Sequence, residues 1–538
     1  MKKIESLFIG VGLLAVVTVI GGAIWRDHVV GNTSGTYEFP AGKYGDFLAA
    51  QHAIYVNDFE RASEFAAGLT DTEYPVVQNT KYLSDFLSGR MPENAKYLAD
   101  EKSAPARLIY DAYLLMNDDW ADLYKRHKKD ESALAAPLRV WSSVATGRAS
   151  DALKFIDKLS TNPSWKAFVR GQILAETNDV DGAATAFGDV RADFMNINDY
   201  LYIMSFYRHN GMNDAATALK ADFTSRPGGM FMLDFDDIPD WSQYSGLKNA
   251  LAFSLVQNVS HTQVMMYSDL SILLLRFAQI TGPNFGGDCD AVNYYLGQFF
   301  FNNNGDYIRY FDKIDKDSPF YMFGVLRVAE RSGDIRALQR AVADSPLFVP
   351  AVNKLIAYYI SHDDKRAALR VVNNALKDDN LSEPGRAFFH KSRAQIYYVF
   401  GDMDAAQADI HRASEVLAID GEILSLQAKI WAAQQREIEN AYDYAMALVK
   451  QNPTDVFAWD TLGRVVAVRE GASAALDVLS RVGEIANNCS SLFENLGDLY
   501  VATGNQKLAR DAYLRAIDLS DDGLTVVDVV KRKLRKLK

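Results

Sequence analysis

Cysteine is nearly missing from this chain: two residues in 538, Cys289 and Cys489, cannot build a disulfide framework, and neither stands in a CxxC or other metal-ligand spacing. Both read as unpaired small residues. Proline is scarce too, at fourteen, and there is no long Ser/Gly or Pro run, which argues against flexibly linked domains. Sustained period-two alternation is missing, so strands are not expected. The eight histidines are scattered, and HExxH, GxSxG and phosphate-binding glycine loops are lacking. Asp404, Asp409 and His411 are close in sequence, yet helix surfaces routinely carry such groups. The expectation is a protein that is not an enzyme, with no cofactor, no metal and no small-molecule substrate. Basic charge is also in deficit. Lys and Arg total 57 against 69 Asp and Glu, a net charge of -12, so a nucleic-acid partner is not expected.

What is present is ordinary globular composition, 49% hydrophobic and 23% charged. A single compact core rarely grows past roughly 250–300 residues. The chain therefore either splits into domains or extends its core in one dimension as a solenoid. At the N-terminus, Lys2 and Lys3 precede an uncharged stretch from Leu7 to Trp25, followed by Arg26, Asp27 and His28. That stretch is long enough to cross a bilayer as a helix, with Trp25 at the interface and the lysines on the cytoplasmic side. Residues 1–28 are expected to be a membrane anchor that puts the rest of the chain on the periplasmic, extracytoplasmic side. Two alternatives stay open: a signal segment cut after the small residues Gly21 and Ala23, releasing the protein to the periplasm, and a buried helix.

A repeat emerges by subtraction. Trp459, Leu462, Gly463, Val466, Ala475, Leu479 and Val482 are followed, each 34 residues on, by Phe493, Leu496, Gly497, Tyr500, Ala509, Tyr513 and Ala516. Steps of three and four place the first residues of each set on one helix face. Gly463 and Gly497 leave room for a second helix, and Ala475 and Ala509 do so from the other side. Gly504-Asn505 makes the turn, and Pro453 ends the preceding helix. Looser units run through Ala394, Tyr397, Gly401, Ala406, Ile410 and Ala413, and through Val352, Leu355, Tyr359, Ala368, Val372 and Ala375. Further upstream, Tyr295 to Phe300 before Gly305-Asp306, Gly171 to Val190, and Ala50 to Leu69 around Asn57-Asp58 fit the same template.

The 34-residue pattern resembles the tetratricopeptide repeat, and the architecture as a whole is similar to exported or membrane-anchored bacterial proteins of that type. The resemblance implies an all-α, right-handed superhelical solenoid of stacked antiparallel helix pairs, preceded here by the N-terminal hydrophobic helix. Divergent repeats are expected over 41–225, an irregular loop over 226–246, degenerate hairpins over 247–348, clear repeats over 349–520 and a basic capping helix over 521–538. The loop carries Asp234, Asp236, Asp237 and Asp240, but their spacing is not a calcium loop. Val527, Val530, Leu534 and Leu537 form one stripe of the last helix, able to cover the open end of the array. Its other face carries Lys531, Arg532, Lys533, Arg535, Lys536 and Lys538, a solvated surface or a contact for anionic lipid or an acidic partner.

The same resemblance implies a scaffold or adaptor that binds peptide segments or other proteins in a concave face lined by the first helix of each pair. Positions between the packing residues then face the groove: Phe388, Lys391, Gln395 and Tyr398 in one unit, Phe457, Asp460 and Arg464 in another, flanked by Asn353, Glu494 and Asp498. A solvated helix face would carry the same residues. Repeats that clamp a terminal carboxylate place a lysine and asparagines at these sites; here they read Asp460 with Arg464 and Glu494 with Asp498. The other reading of the whole is a structural subunit of a larger membrane-associated complex.

Overall fold

The computed structural model describes residues 41–69, 75–132, 135–233, 235, 237–261, 269–287 and 289–537. The expected N-terminal hydrophobic helix at residues 7–25 lies outside them, as do Asp234, Asp236 and Asp288. Among the described residues every regular element is a helix, and no helix is long and apolar enough to cross a membrane.

One local device makes most of the hairpins. A residue in the left-handed region ends the turn, and an Asp or Asn directly after it caps the second helix. The pairs are Asn57-Asp58, Asp118-Asp119, Asn178-Asp179, Gly333-Asp334, Asp363-Asp364, Gly401-Asp402 and Gly504-Asn505. In each, the capping side chain accepts from a backbone N–H of the first helical turn, a bond worth about 0.5–2 kcal/mol. Asn and Asp tolerate left-handed backbone better than other side chains, which is why they alternate with Gly here.

The chain forms two compact units. The first comprises residues up to Leu219 together with Asp237–Val328; the second comprises Lys220–Asp236 and Ala329–Lys538. The division therefore does not cut the chain at the 226–246 loop into consecutive halves. The reason is packing. Helix Leu247–His261 returns to lie on Ala136–Ala145, and helix Asp269–Thr281 lies on Ala104–Met116 and Pro75–Leu87. Leu247–His261 is apolar around most of its circumference and buries Ala250 through Val256 without a break, as a helix enclosed on all sides must. The Trp141 indole donates to Ser254 Oγ at 2.9 Å, and the buried Arg276 guanidinium donates to Leu87 O at 2.6 Å and Tyr310 Oη at 2.7 Å.

In the second unit, five hairpins follow one another: Val349–Ser361 with Lys365–Ala375, Glu383–Val399 with Met403–Ser414, Gly421–Gln434 with Ile438–Gln451, Val456–Arg469 with Ala472–Ile485, and Ser490–Ala502 with Gln506–Asp518. They are numbered here as the first to fifth repeats. A Cβ on Gly463 would collide with the Leu479 side chain, and one on Gly497 with the Tyr513 ring. Gly171 bears the same relation to Phe187 in the first unit, where a Cβ would stand 2.5 Å from the ring. In all three pairs the large side chain comes sixteen residues after the glycine. The final helix, Val527–Arg535, buries Val530 completely against the same core, with Leu534 and Leu537 packed beside it. Val527, Val530 and Leu534 stand 34 residues after Phe493, Leu496 and Tyr500, so this helix takes the register of a sixth first helix.

Candidate interaction face of the C-terminal unit

The residues expected to face a groove lie on the first helices of the second and fourth repeats. Phe388 is buried; Lys391, Gln395 and Tyr398 are half-buried; Phe457 is exposed. Asp460 is fully buried, and Arg464 keeps about a fifth of its side chain in solvent.

The charged members are joined in a chain that runs from repeat to repeat. Lys391 of the second repeat lies across the Phe388 ring, 5.1 Å from its centroid, and pairs with Glu422 and Asp420 at the start of the third. Lys429 of the third repeat reaches Asp460 of the fourth at 3.0 Å, and Ser425 meets Thr461 at 2.6 Å beside it. Asp460 also accepts from Arg464 at 3.1 Å, from Ser491 Oγ at 2.7 Å and from Asn495 at 3.3 Å, the last two belonging to the fifth repeat. Arg464 donates onward to the Ser491 carbonyl at 2.8 Å. Finally, Lys533 of the capping helix bridges Glu494 at 2.8 Å and Asp498 at 2.6 Å. Asp498 accepts the Tyr513 hydroxyl as well, at 2.7 Å.

Burial alone would raise the Asp460 carboxyl, but the charges of Arg464 and Lys429 with the Ser491 hydrogen bond outweigh it and hold the group well below the usual carboxylate range. Burial would likewise discharge Lys429; the Asp460 charge reverses that and raises its pKa. A second buried carboxylate follows the same logic between the helices of the second repeat. Asp409 accepts from Arg393 at 2.6 and 2.8 Å and contacts His390 at 3.0 Å; these bonds overcome burial and keep it well below its ordinary range.

Of the seven expected residues, then, the fold engages Lys391, Asp460 and Arg464 in cross-repeat bonds, buries Phe388 under Lys391, and leaves Gln395, Tyr398 and Phe457 as the aromatic and amide part of the face. Sequence reasoning missed Lys429, Ser491 and Asn495. A signal for them existed: Lys391 to Glu422, Lys429 to Asp460 and Asp460 to Ser491 are each separated by 31 residues.

In the first unit, a cleft of about 930 Å³ opens beside Glu131, Trp165, Arg191, Phe194 and His261. Phe194 stacks on His261 at 4.4 Å, and the His261 Nε2 is 2.6 Å from the buried Asp199.

No protein-family model and no curated protein matches this sequence. Solved structures similar to it include a tetratricopeptide repeat protein from Parabacteroides merdae ATCC 43184, with 12% identity, a TM-score of 0.32, and 46% of this chain covered against 90% of that one. They also include the APC/C hetero-tetramer Cut9–Hcn1, with 12% identity, a TM-score of 0.31 and coverage of 91% and 96%. Yeast Tom70 follows, with 11% identity, a TM-score of 0.28 and coverage of 92% and 96%. At such scores the assignment of fold stands on this chain's own hairpins: their capped turns, the glycine-to-large-side-chain contact sixteen residues on, and the 34-residue register carried into the final helix. By those features the chain is a tetratricopeptide-like helical-repeat protein.

Proposed function

We propose that this protein is an interaction scaffold that holds segments of partner proteins on the first-helix face of its C-terminal unit. The observation that carries the reading is the division of labour on that face. Its charges are satisfied across the repeats, which fixes the backbone, while Gln395, Tyr398 and Phe457 offer aromatic and amide surface on helices already held in place. A preorganised face loses less entropy on binding than a flexible one. Aromatic rings beside a few polar groups suit an extended peptide or a partner helix. The uncharged stretch from Leu7 to Trp25 supports a further part of the proposal, that the scaffold is tethered in the cell envelope with the repeats outside the cytoplasm.

The test is affinity purification of the full-length, detergent-solubilised protein from its native cells, comparing the natural chain with a Tyr398→Ala/Phe457→Ala variant of unchanged helix content. Partners lost with the variant support the scaffold. A stoichiometric complex indifferent to the change supports the other reading, a structural subunit, and the absence of any partner defeats both. Deleting residues 1–25 is expected to move the protein out of the membrane fraction; continued pelleting at high salt overturns the tether.

A further inference from the structure

The five hairpins of the C-terminal unit begin at Val349 and end at Asp518, yet the two ends touch. The short 3-10 turn Ser520–Asp522 lies against helix Val349–Ser361, more than 150 residues earlier in the chain. The contact is close. Gly523 is buried with φ of +71°, and a Cβ placed on it would stand 2.5 Å from the Cα and 2.6 Å from the Cβ of Ala357. Only glycine satisfies both demands at once, a left-handed backbone and no side chain. Ala357 follows Leu355 by two residues, as Arg464 follows Leu462 and Asp498 follows Leu496. By register, therefore, Gly523 sits on the same face of the first repeat that carries Arg464 in the fourth and Asp498 in the fifth.

The turn is anchored on its other side. Helix Ser490–Ala502 begins after Cys489, which supplies no side-chain cap. Asp522 supplies one instead, accepting from the Ser490 backbone N–H at 2.7 Å and from Ser490 Oγ at 2.6 Å, and it also accepts from Leu524 N at 2.9 Å. One carboxylate thus fixes the turn to the fifth repeat while Gly523 presses it on the first. The segment continues inward: Thr525 and Val526 are buried, and the Thr525 hydroxyl has no hydrogen-bond partner.

We propose that residues 519–526 form a clasp that joins the ends of the C-terminal unit and covers the first-helix face of its first repeat, and that a partner segment reaches that part of the face only when the clasp opens. The second clause rests on the scaffold reading given above; the first stands on the contacts alone. Closed, the clasp leaves Gln395, Tyr398 and Phe457 accessible, with Asn353 at the start of the first repeat. Open, it adds the rest of the first repeat, including the half-buried Ala357 and Tyr358.

The experiment measures access to Ala357 in the full-length protein. A thiol introduced by Ala357→Cys is labelled with a maleimide, against the background of the native protein, whose Cys289 and Cys489 are half-buried and buried. The same measurement is repeated with Gly523→Leu added. Labelling is expected to be slow with the clasp intact and about tenfold or more faster with Gly523→Leu, as for a site exposed by local opening. Equal rates in the two backgrounds overturn the clasp. If Gly523→Leu does not fold, Asp522→Asn carries the test, since it weakens the anchor without adding bulk; it is expected to accelerate labelling by a smaller factor. The labelling needs no partner, so failure of the scaffold reading leaves its outcome unchanged.

Discussion

The two units use the same hairpin turn and then diverge in how the hairpins are joined. The first is an aromatic assembly. Phe168 stacks on Phe253 at 5.6 Å, Tyr202 lies 4.6 Å from Phe253 and 5.0 Å from Tyr244, and Phe285 closes the group 5.1 Å from Phe253. These rings come from helices far apart in sequence, drawn together because helix Leu247–His261 fills the space that the earlier hairpins surround. The last three repeats of the second unit have a core mostly of Ala, Leu and Val, with Phe493 and Tyr513 among them and small residues such as Ala441, Ala445, Ala475 and Ala509 at helix crossings. Its first helices are joined instead by ionic and hydrogen bonds on one face. Large rings permit irregular geometry because each one fills whatever volume is there. Small residues allow only close, regular crossings, and regularity is what lets one bridging pattern recur from repeat to repeat.

The contrast can be broken most sharply at Asp460. Replacing it with Ala leaves Lys429 and Arg464 buried beside each other with no counter-charge, and the cost is expected to be about 3–5 kcal/mol. Hydrogen exchange across residues 421–502 reads it, and protection equal to the natural protein would show that the ionic chain is ornamental. Acid probes the same bonds. Asp460 and Asp409 are held below the range they have when unfolded, about 3.9. Their contribution is therefore complete above that value and is lost as pH falls through their lower folded values. Circular dichroism should show the second unit losing structure below about pH 4, with Asp460→Asn removing part of that dependence.

In the first unit the matching weak point is a ring. Phe168→Ala opens a cavity among Phe187, Tyr202 and Phe253 and is expected to cost about 3–5 kcal/mol, seen as lost exchange protection in helices 163–176 and 247–261. A loss below about 1 kcal/mol would mean the rings are loosely packed and the contrast overstated. Gly497→Leu comes next. It forces a side chain into the space of the Tyr513 ring and should lower stability by about 1–3 kcal/mol; an unchanged denaturation midpoint would remove the glycine contact from the account of the fold. The smallest effect belongs to Lys391→Ala. Its partner Glu422 is largely exposed, so the change should cost no more than about 1 kcal/mol. A larger loss would show that the bridging chain acts as one unit from the second repeat onward.

The same contrast explains what could be read from the sequence. The last two repeats are the most legible, because Gly463 and Gly497 each meet a large side chain sixteen residues on and Ala475 and Ala509 sit at the crossings, so spacing records geometry. Around Phe168 and Tyr202 only the Gly171–Phe187 pair keeps that spacing; the other partners are chosen by the returning helix at 247–261, and a contact across eighty-five residues, such as Phe168 with Phe253, leaves no local trace. Turns such as Asn57-Asp58 and Gly504-Asn505 were legible, because a left-handed residue followed by an Asp or Asn cap is a local requirement. At the candidate site, register put the seven residues on first helices, and its charges were read as groove-facing. Asp460 is instead enclosed, since its partners Lys429, Ser491 and Asn495 stand one repeat away on either side, beyond the reach of single-helix periodicity.

One feature of the fold bears on how such a chain changes length. The closing helix stands in the register of a further first helix, with Val527, Val530 and Leu534 continuing the spacing of Phe493, Leu496 and Tyr500. The lid of the array is therefore built to the same template as the units it covers. A duplicated hairpin inserted ahead of it would meet a surface of the expected pitch on both sides, but it would carry the Ser520–Asp522 turn away from the first repeat, so a change of length by whole units keeps the lid and gives up the clasp.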